Sequence, residues 1–139
     1  MQRTTMFTLI ALAALVAAGA FGGYRVVATK GPAATALSGH DPVQLVAGRR
    51  VFGKPGITVE HGPFLYSFAD VQSVLAFRKE PARYAIQGGG SCATMPDTDA
   101  DPSIFTVHDG RIYAFASEAC RESFLTDPDA FVTAGGPRD

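Results

Sequence analysis

The sequence predicts an α+β fold, in which two repeated units of a β-hairpin and a helix pack together as one small domain, preceded by an N-terminal hydrophobic helix. Three observations support this prediction. Residues 61–85 recur as residues 108–132, each copy combines a strand-like pattern with a helix-like one, and an uncharged apolar run precedes both copies. The chain has 139 residues, of which 47% are hydrophobic, so it can form one modest core.

Residues 1–28 have the order of an export signal. Arg3 precedes an apolar run from Met6 to Phe21 that contains no charged residue. Signals need this order because the basic end stays inside while the apolar stretch enters the membrane. Ala18-Gly19-Ala20 offers a cleavage site of small residues, and Val26-Val27-Ala28 offers a second. Without cleavage, the run is either a membrane anchor or a buried core helix. We therefore expect an exported, periplasmic or otherwise extracytoplasmic domain that contacts a membrane only through this segment.

Composition divides the rest of the chain. Residues 29–37 are rich in Ala, Gly and Thr and have no periodicity, which predicts a linker. The folded domain is expected to begin near Ser38 and to cover residues 38–134, with a tail at 135–139.

The internal repeat aligns without a gap at a constant offset of 47 residues. The matching pairs are His61 and His108, Tyr66 and Tyr113, Phe68 and Phe115, Ala69 and Ala116, Phe77 and Phe124, Pro81 and Pro128, and Tyr84 and Phe131. Aromatic and branched residues at 64–68 and 111–115 predict strands after a glycine-containing turn. A single copy has no partner for its apolar face, so we expect the two copies to pack around their aromatic residues.

A helix is predicted after the strands of each copy. Asp70 and Ser117 are favourable helix N-caps, and apolar residues follow them at helical spacing. Pro81 and Pro128 end these helices, because the residue before a proline is disfavoured in helical geometry.

The domain resembles the YHS-domain family, which is related to the small metal-binding TRASH domains. The residues that carry the resemblance are Tyr113-Ala114-Phe115-Ala116-Ser117-Glu118-Ala119-Cys120-Arg121 with Phe124, Asp127, Pro128 and Phe131, similar to Y-x-F-C-S-x-x-C and F-x-x-x-P-x-x-Y, and Asp41-Pro42-Val43, similar to D-P-V-C. Gly89-Gly90-Ser91-Cys92-Ala93 resembles the G-G-x-C-A element of an exported branch. The likeness covers roughly residues 38–132.

This resemblance implies an exported module that binds a heavy metal, since soft thiolates suit Cu(I) and Zn(II). It also implies that the loop carrying Cys92 lies beside the second helix. The sequence departs from the full cysteine set, because Gln44 and Ala116 stand at two of its cysteine positions and Cys120 is the cysteine retained.

Cys92 and Cys120 have three possible fates. The first is a metal site for Cu or Zn with a histidine, for which His108 is the best candidate and His61 or His40 the next. The second is a structural disulfide. The third is a pair of redox-active or unpaired thiols. His61 and His108 also have a structural interpretation, since they occupy equivalent positions ahead of the two hairpin turns.

Several function classes are disfavoured. The net charge of −1 supplies no basic surface for nucleic acid. We find no nucleophile elbow, phosphate-binding loop or zinc-protease motif, so we expect a non-enzyme, with thiol oxidoreductase activity as the alternative. The expected partner is a metal ion, or another protein if the module is stapled by a disulfide.

Overall fold

The structure, a computed structural model, describes residues 31–132, so the predicted N-terminal helix and the tail at 135–139 lie outside the described residues. Within 31–132 the chain forms two small β-sheets and five α-helices, which confirms the α+β class. The strands are β1 Ala34–Thr35, β2 Thr58–His61, β3 Phe64–Ser67, β4 Asp101–His108 and β5 Arg111–Phe115. The helices are α1 Pro42–Val46, α2 Val71–Lys79, α3 Pro81–Tyr84, α4 Glu118–Thr126 and α5 Pro128–Val132.

The first sheet has the strand order β1, β3, β2. β2 and β3 form an antiparallel hairpin in which Thr58 pairs with Ser67 and His61 with Phe64. Along β3, Phe64 and Tyr66 are buried whereas Leu65 and Ser67 are half-buried, as expected for a strand with one face on a core.

The folded domain begins earlier than the predicted start at Ser38. Ala34 and Thr35 of the predicted linker pair in parallel with Phe64 and Leu65, and the adjoining Ala36 and Leu37 are fully buried. Small residues without periodicity gave no strand signal. Their burial comes from pairing with a strand far along the chain.

β5 separates two hydrophobic clusters. It pairs with β4 in the second sheet, and its residues from Ile112 to Phe115 are all buried. Because successive side chains of a strand face opposite sides, Ile112 and Ala114 join the first cluster while Tyr113 and Phe115 join the second. β5 therefore contributes side chains to both clusters, one from each of its faces.

Each cluster contains one fully buried phenylalanine from a helix. In the first, the Phe77 ring lies 5.0 Å from that of Tyr66 and 5.3 Å from that of Phe68. In the second, the Phe124 ring lies 5.0 Å from that of Tyr113 and 5.2 Å from that of Phe115. These separations are typical of favourable tilted and edge contacts between aromatic rings.

The helices that carry these rings begin and end where the sequence predicts. The Asp70 carboxylate accepts from the N–H of Ser73 at 2.8 Å, and the Ser117 hydroxyl accepts from the N–H of Cys120 at 3.3 Å. α2 and α4 end just before the Pro81 and Pro128 turns, and a short helix begins at each proline.

Tyr66 connects the first hairpin to the loop before the glycine run. Its hydroxyl accepts from the N–H of Ile86 at 2.9 Å, and the residue is only 1% exposed. Burial raises the pKa of Tyr66 from 10.0 to about 12, although the hydrogen bond from Ile86 lowers it in part.

We expect Tyr66→Phe to lower the free energy of unfolding by about 1–3 kcal/mol, because the Ile86 N–H is left without an acceptor. In the unchanged protein, burial favours the neutral phenol, so its contribution is fully present below pH 10 and is lost as pH rises through about 12. Urea unfolding from neutral to alkaline pH, with tyrosine absorbance, measures both effects. Tyr84→Phe is the control. Ionisation of every tyrosine near pH 10 would contradict the assignment.

Candidate thiol site

A glycine-rich turn leads into Cys92. Gly88, Gly89 and Gly90 have φ of 80°, 64° and 111°, a region that favours glycine. A Cβ atom at Gly90 would lie only 2.9 Å from the Cγ of Pro63, in the turn between β2 and β3. The loop therefore packs closely against the first hairpin, and a larger residue would disturb this packing.

Backbone hydrogen bonds hold the segment that contains Cys92. The Cys92 N–H donates to the Thr98 carbonyl at 2.7 Å, and the Ala93 N–H donates to the Ala114 carbonyl of β5 at 3.0 Å. The Met95 N–H donates back to the Cys92 carbonyl at 3.2 Å and closes a tight turn. Anchored in this way, Cys92 is only 1% exposed.

Cys120 lies in the first turn of α4. Its N–H donates to the Ser117 hydroxyl, which itself donates to the Cys120 sulfur at 3.3 Å. One serine therefore caps the helix and contacts the thiol. Cys120 is half-buried, in contrast to the buried Cys92.

Both cysteines belong to the second cluster, as the family resemblance led us to expect for the Cys92 loop and the second helix. The buried members are Cys92, Tyr113, Phe115 and Phe124, and the half-buried residues packed against them include Ala116 and Cys120. Both cysteines are free thiols. The fold thus gathers two thiols from separate segments around the start of one helix.

The environment of Cys92 favours its thiolate. Burial by itself raises the pKa of Cys92, but hydrogen bonds from the Thr94 hydroxyl and from the backbone N–H groups of Ala116, Thr94 and Met95 more than offset this, so the pKa is lowered. The Thr94 hydroxyl oxygen lies 3.3 Å from the sulfur. Ala116 directly precedes the N-cap of α4, where the helix dipole also favours negative charge.

His108, the predicted third ligand, packs on an aromatic ring. Its imidazole meets the Phe124 ring edge-on, with centroids 5.8 Å apart. His61 meets Phe77 in the same way at 5.6 Å. Among residues 31–132, no three His, Cys, Asp or Glu side chains come together as a group that could hold a metal ion. His108 is therefore not gathered with the two thiols, and metal binding by the thiols stays a prediction.

His40 has separate partners near the start of the domain. Its Nδ1 lies 2.8 Å from the Leu37 carbonyl oxygen, and its ring stacks on that of Phe52 at 4.2 Å. These contacts connect the first residues of the domain to the segment after α1.

Gln44 makes a polar connection between two helices. Its amide Nε2 donates to the hydroxyl of buried Ser73 at 3.4 Å, and its Oε1 accepts from the Arg49 side chain at 2.8 Å. Ser73 in α2 occupies the repeat position that corresponds to Cys120 in α4. The first copy therefore has a hydroxyl where the second has a thiol.

Sequence reasoning missed the partners of the thiols. Thr94 and the backbone of Ala116 and Met95 contact the Cys92 sulfur, and Ser117 contacts that of Cys120. The Ser117 contact follows from its N-cap position three residues before Cys120. The contacts to Cys92 depend on the path of the loop. The spacing Cys-x-x-Met at 92–95 is the sequence feature that could have indicated the Met95 contact.

Comparisons with protein-family models, with curated proteins and with solved structures find no match for this chain. In the part of the chain that the structure describes, none of the helices has the length and apolar character needed to cross a membrane.

Proposed function

We propose that this chain is an exported YHS-like module that binds Cu(I) through the thiolates of Cys92 and Cys120. The observation that carries the proposal is that both thiols belong to one cluster at the start of α4. Thiolates are soft ligands that select Cu(I), an ion that accepts low coordination numbers.

The surroundings of Cys92 favour a thiolate ligand. The lowered pKa of Cys92 makes its anionic form more accessible near neutral pH, and a metal ligand must be deprotonated. The hydroxyl groups of Thr94 and Ser117 contact the two sulfurs and can donate to thiolates. These contacts support a thiolate at Cys92, which a metal ligand requires.

Cu(I) fits this site better than Zn(II). A structural zinc site takes four protein ligands, commonly cysteines and histidines. The best histidine candidate, His108, packs on Phe124 as His61 packs on Phe77. We therefore assign both histidines to the aromatic clusters and assign metal binding to the thiols.

We also propose that the two hairpin-helix units are a structural duplication. α2 and α4 are separated by the same 47 residues as the sequence repeat, and the rings of Phe77 and Phe124 both lie 5.0 Å from those of equivalent tyrosines. On this proposal, the second unit carries the site because its helix has Cys120 where α2 has Ser73.

The test is anaerobic titration of the reduced protein with Cu(I) against a chromophoric Cu(I) chelator. We expect one ion per chain, and we expect both Cys92→Ser and Cys120→Ser to lose competitive binding. His108→Gln and His61→Gln form a matched pair, because their rings pack alike. Equal affinity in both histidine variants supports the two-thiol site, whereas selective loss in His108→Gln supports the three-ligand site.

The second candidate is a disulfide-stapled interaction module. The same cluster that gathers the thiols also favours it, and an oxidising compartment promotes such a bond. A free-thiol count on protein purified from its native compartment separates the two proposals. Oxidised cysteines, together with no Cu(I) binding after reduction, would overturn the metal proposal and leave the stapled module.

A further inference from the structure

Met95 lies beside the thiol site in the sequence, and its side chain reaches the surface. It is 41% exposed, although it follows the buried Cys92 by only three residues. Two hydrogen bonds fix its backbone, since its N–H donates to the Cys92 carbonyl at 3.2 Å and its carbonyl accepts from the Thr98 N–H at 2.9 Å. The turn therefore holds the start of the Met95 side chain next to the cysteine.

The Cys92 sulfur is contacted from two sides. The backbone N–H of Met95 faces it from the loop, and that of Ala116 faces it from the start of α4, where Cys120 lies one turn further along. Exposure increases from Cys92 through Cys120 to Met95. The three sulfur-bearing residues thus extend from the buried cluster to the surface.

We infer that the Met95 thioether is a third ligand that completes a Cu(I) site with Cys92 and Cys120. This inference rests on the proposed function. A methionine side chain is unbranched and has three rotatable bonds, so its sulfur can reach across a turn of this size. On binding, the two thiols release their protons to solvent while the neutral thioether releases none.

This ligand set gives the site selectivity. A thioether is a soft donor that suits Cu(I), whereas Zn(II) takes thiolate, imidazole and carboxylate ligands. Met95 therefore strengthens Cu(I) binding without a comparable effect on Zn(II). Its exposed position also provides a first contact for an ion that enters from solvent.

The decisive variant is Met95→Leu, which keeps the apolar volume but removes the sulfur. We expect Cu(I) affinity to fall at least about tenfold, which is the loss commonly seen when a residue that merely supports a ligand is changed. Zn(II) affinity should stay within about twofold on the same reasoning. Equal Cu(I) affinities for the Met95→Leu and unchanged proteins would overturn the inference.

Selenomethionine labelling provides a second measurement that does not depend on affinity. The two other methionines are Met1 and Met6, so Met95 is the methionine of the domain that the structure describes. X-ray absorption of the Cu(I)-loaded, labelled protein should show copper–selenium scattering that disappears in Met95→Leu. Copper with sulfur neighbours but no selenium would refute the Met95 role and leave the two-thiol proposal intact. No copper binding at all would refute both.

Discussion

Phe124→Ala is expected to lower the free energy of unfolding by about 3–5 kcal/mol, the usual cost of removing a buried phenylalanine. Phe124 is fully buried, and its ring lies within 6.0 Å of those of Tyr113, Phe115, His108 and Phe131. The truncation leaves a cavity in the cluster to which both cysteines belong. We therefore also expect weaker Cu(I) binding in protein that remains folded.

Urea unfolding of the reduced protein measures this loss, with Leu125→Ala as the matched control. Leu125 is the next residue of α4 but is 53% exposed, so its truncation should cost less than about 1 kcal/mol. Phe77→Ala should resemble Phe124→Ala if the two units are duplicates. Similar small losses for Phe124→Ala and Leu125→Ala would show that the second cluster is not a packed core.

Asp41→Ala is expected to cost about 3 kcal/mol, because the Asp41 carboxylate connects the starts of two helices. Asp41 is fully buried. Its Oδ1 accepts from the N–H groups of Val43 and Gln44 at 2.8 and 3.2 Å, which caps α1. Its Oδ2 accepts from the Ala69 N–H at 2.8 Å, directly before the Asp70 cap of α2. Removal leaves these donors unpaired in a buried position.

Two further variants show how much of this loss of stability comes from helix capping. Asp70→Ala removes an ordinary helix cap and should cost about 1 kcal/mol. Asp41→Asn keeps one oxygen for the α1 cap but turns an amide donor toward the Ala69 N–H, so we expect an intermediate loss. Thermal unfolding of the three variants at one pH provides the comparison. Equal losses for Asp41→Ala and Asp70→Ala would contradict the connecting role of Asp41.

Local signals predicted α2 and α4, although not the short helices α1, α3 and α5. Asp70 and Ser117 cap α2 and α4, and the turns at Pro81 and Pro128 end them, because these effects act within a few residues of the chain. The aromatic patterns predicted β3 and β5 for the same reason. The α+β class followed from these elements alone.

Pairing between distant segments was not predictable in this way. Ala34 and Thr35 form a strand because β3 offers a free edge, and Leu37 is buried despite a φ of 57° that is uncommon for leucine. Neither property has a sequence signature. The linker prediction for these residues failed because it considered only their composition.

The thiol site was predictable only in part. The cysteines stand out in the sequence, and the family resemblance implied that the Cys92 loop lies near α4. The contacts to Cys92 from Thr94, Met95 and Ala116 depend on how the loop folds, which periodicity does not report. His108 packs on Phe124 and does not join the two thiols, and this position likewise depends on side-chain packing.

The close approach of Gly90 to Pro63 also has a consequence for the order of folding. The loop that carries Cys92 rests on the first hairpin, whereas the cluster that receives its sulfur is built from β5 and α4, which come later in the chain. Contacts between such distant segments form late, because closing long loops is entropically costly. We therefore expect the two cysteines to remain separate and solvent-accessible in the newly made chain until both hairpins have formed.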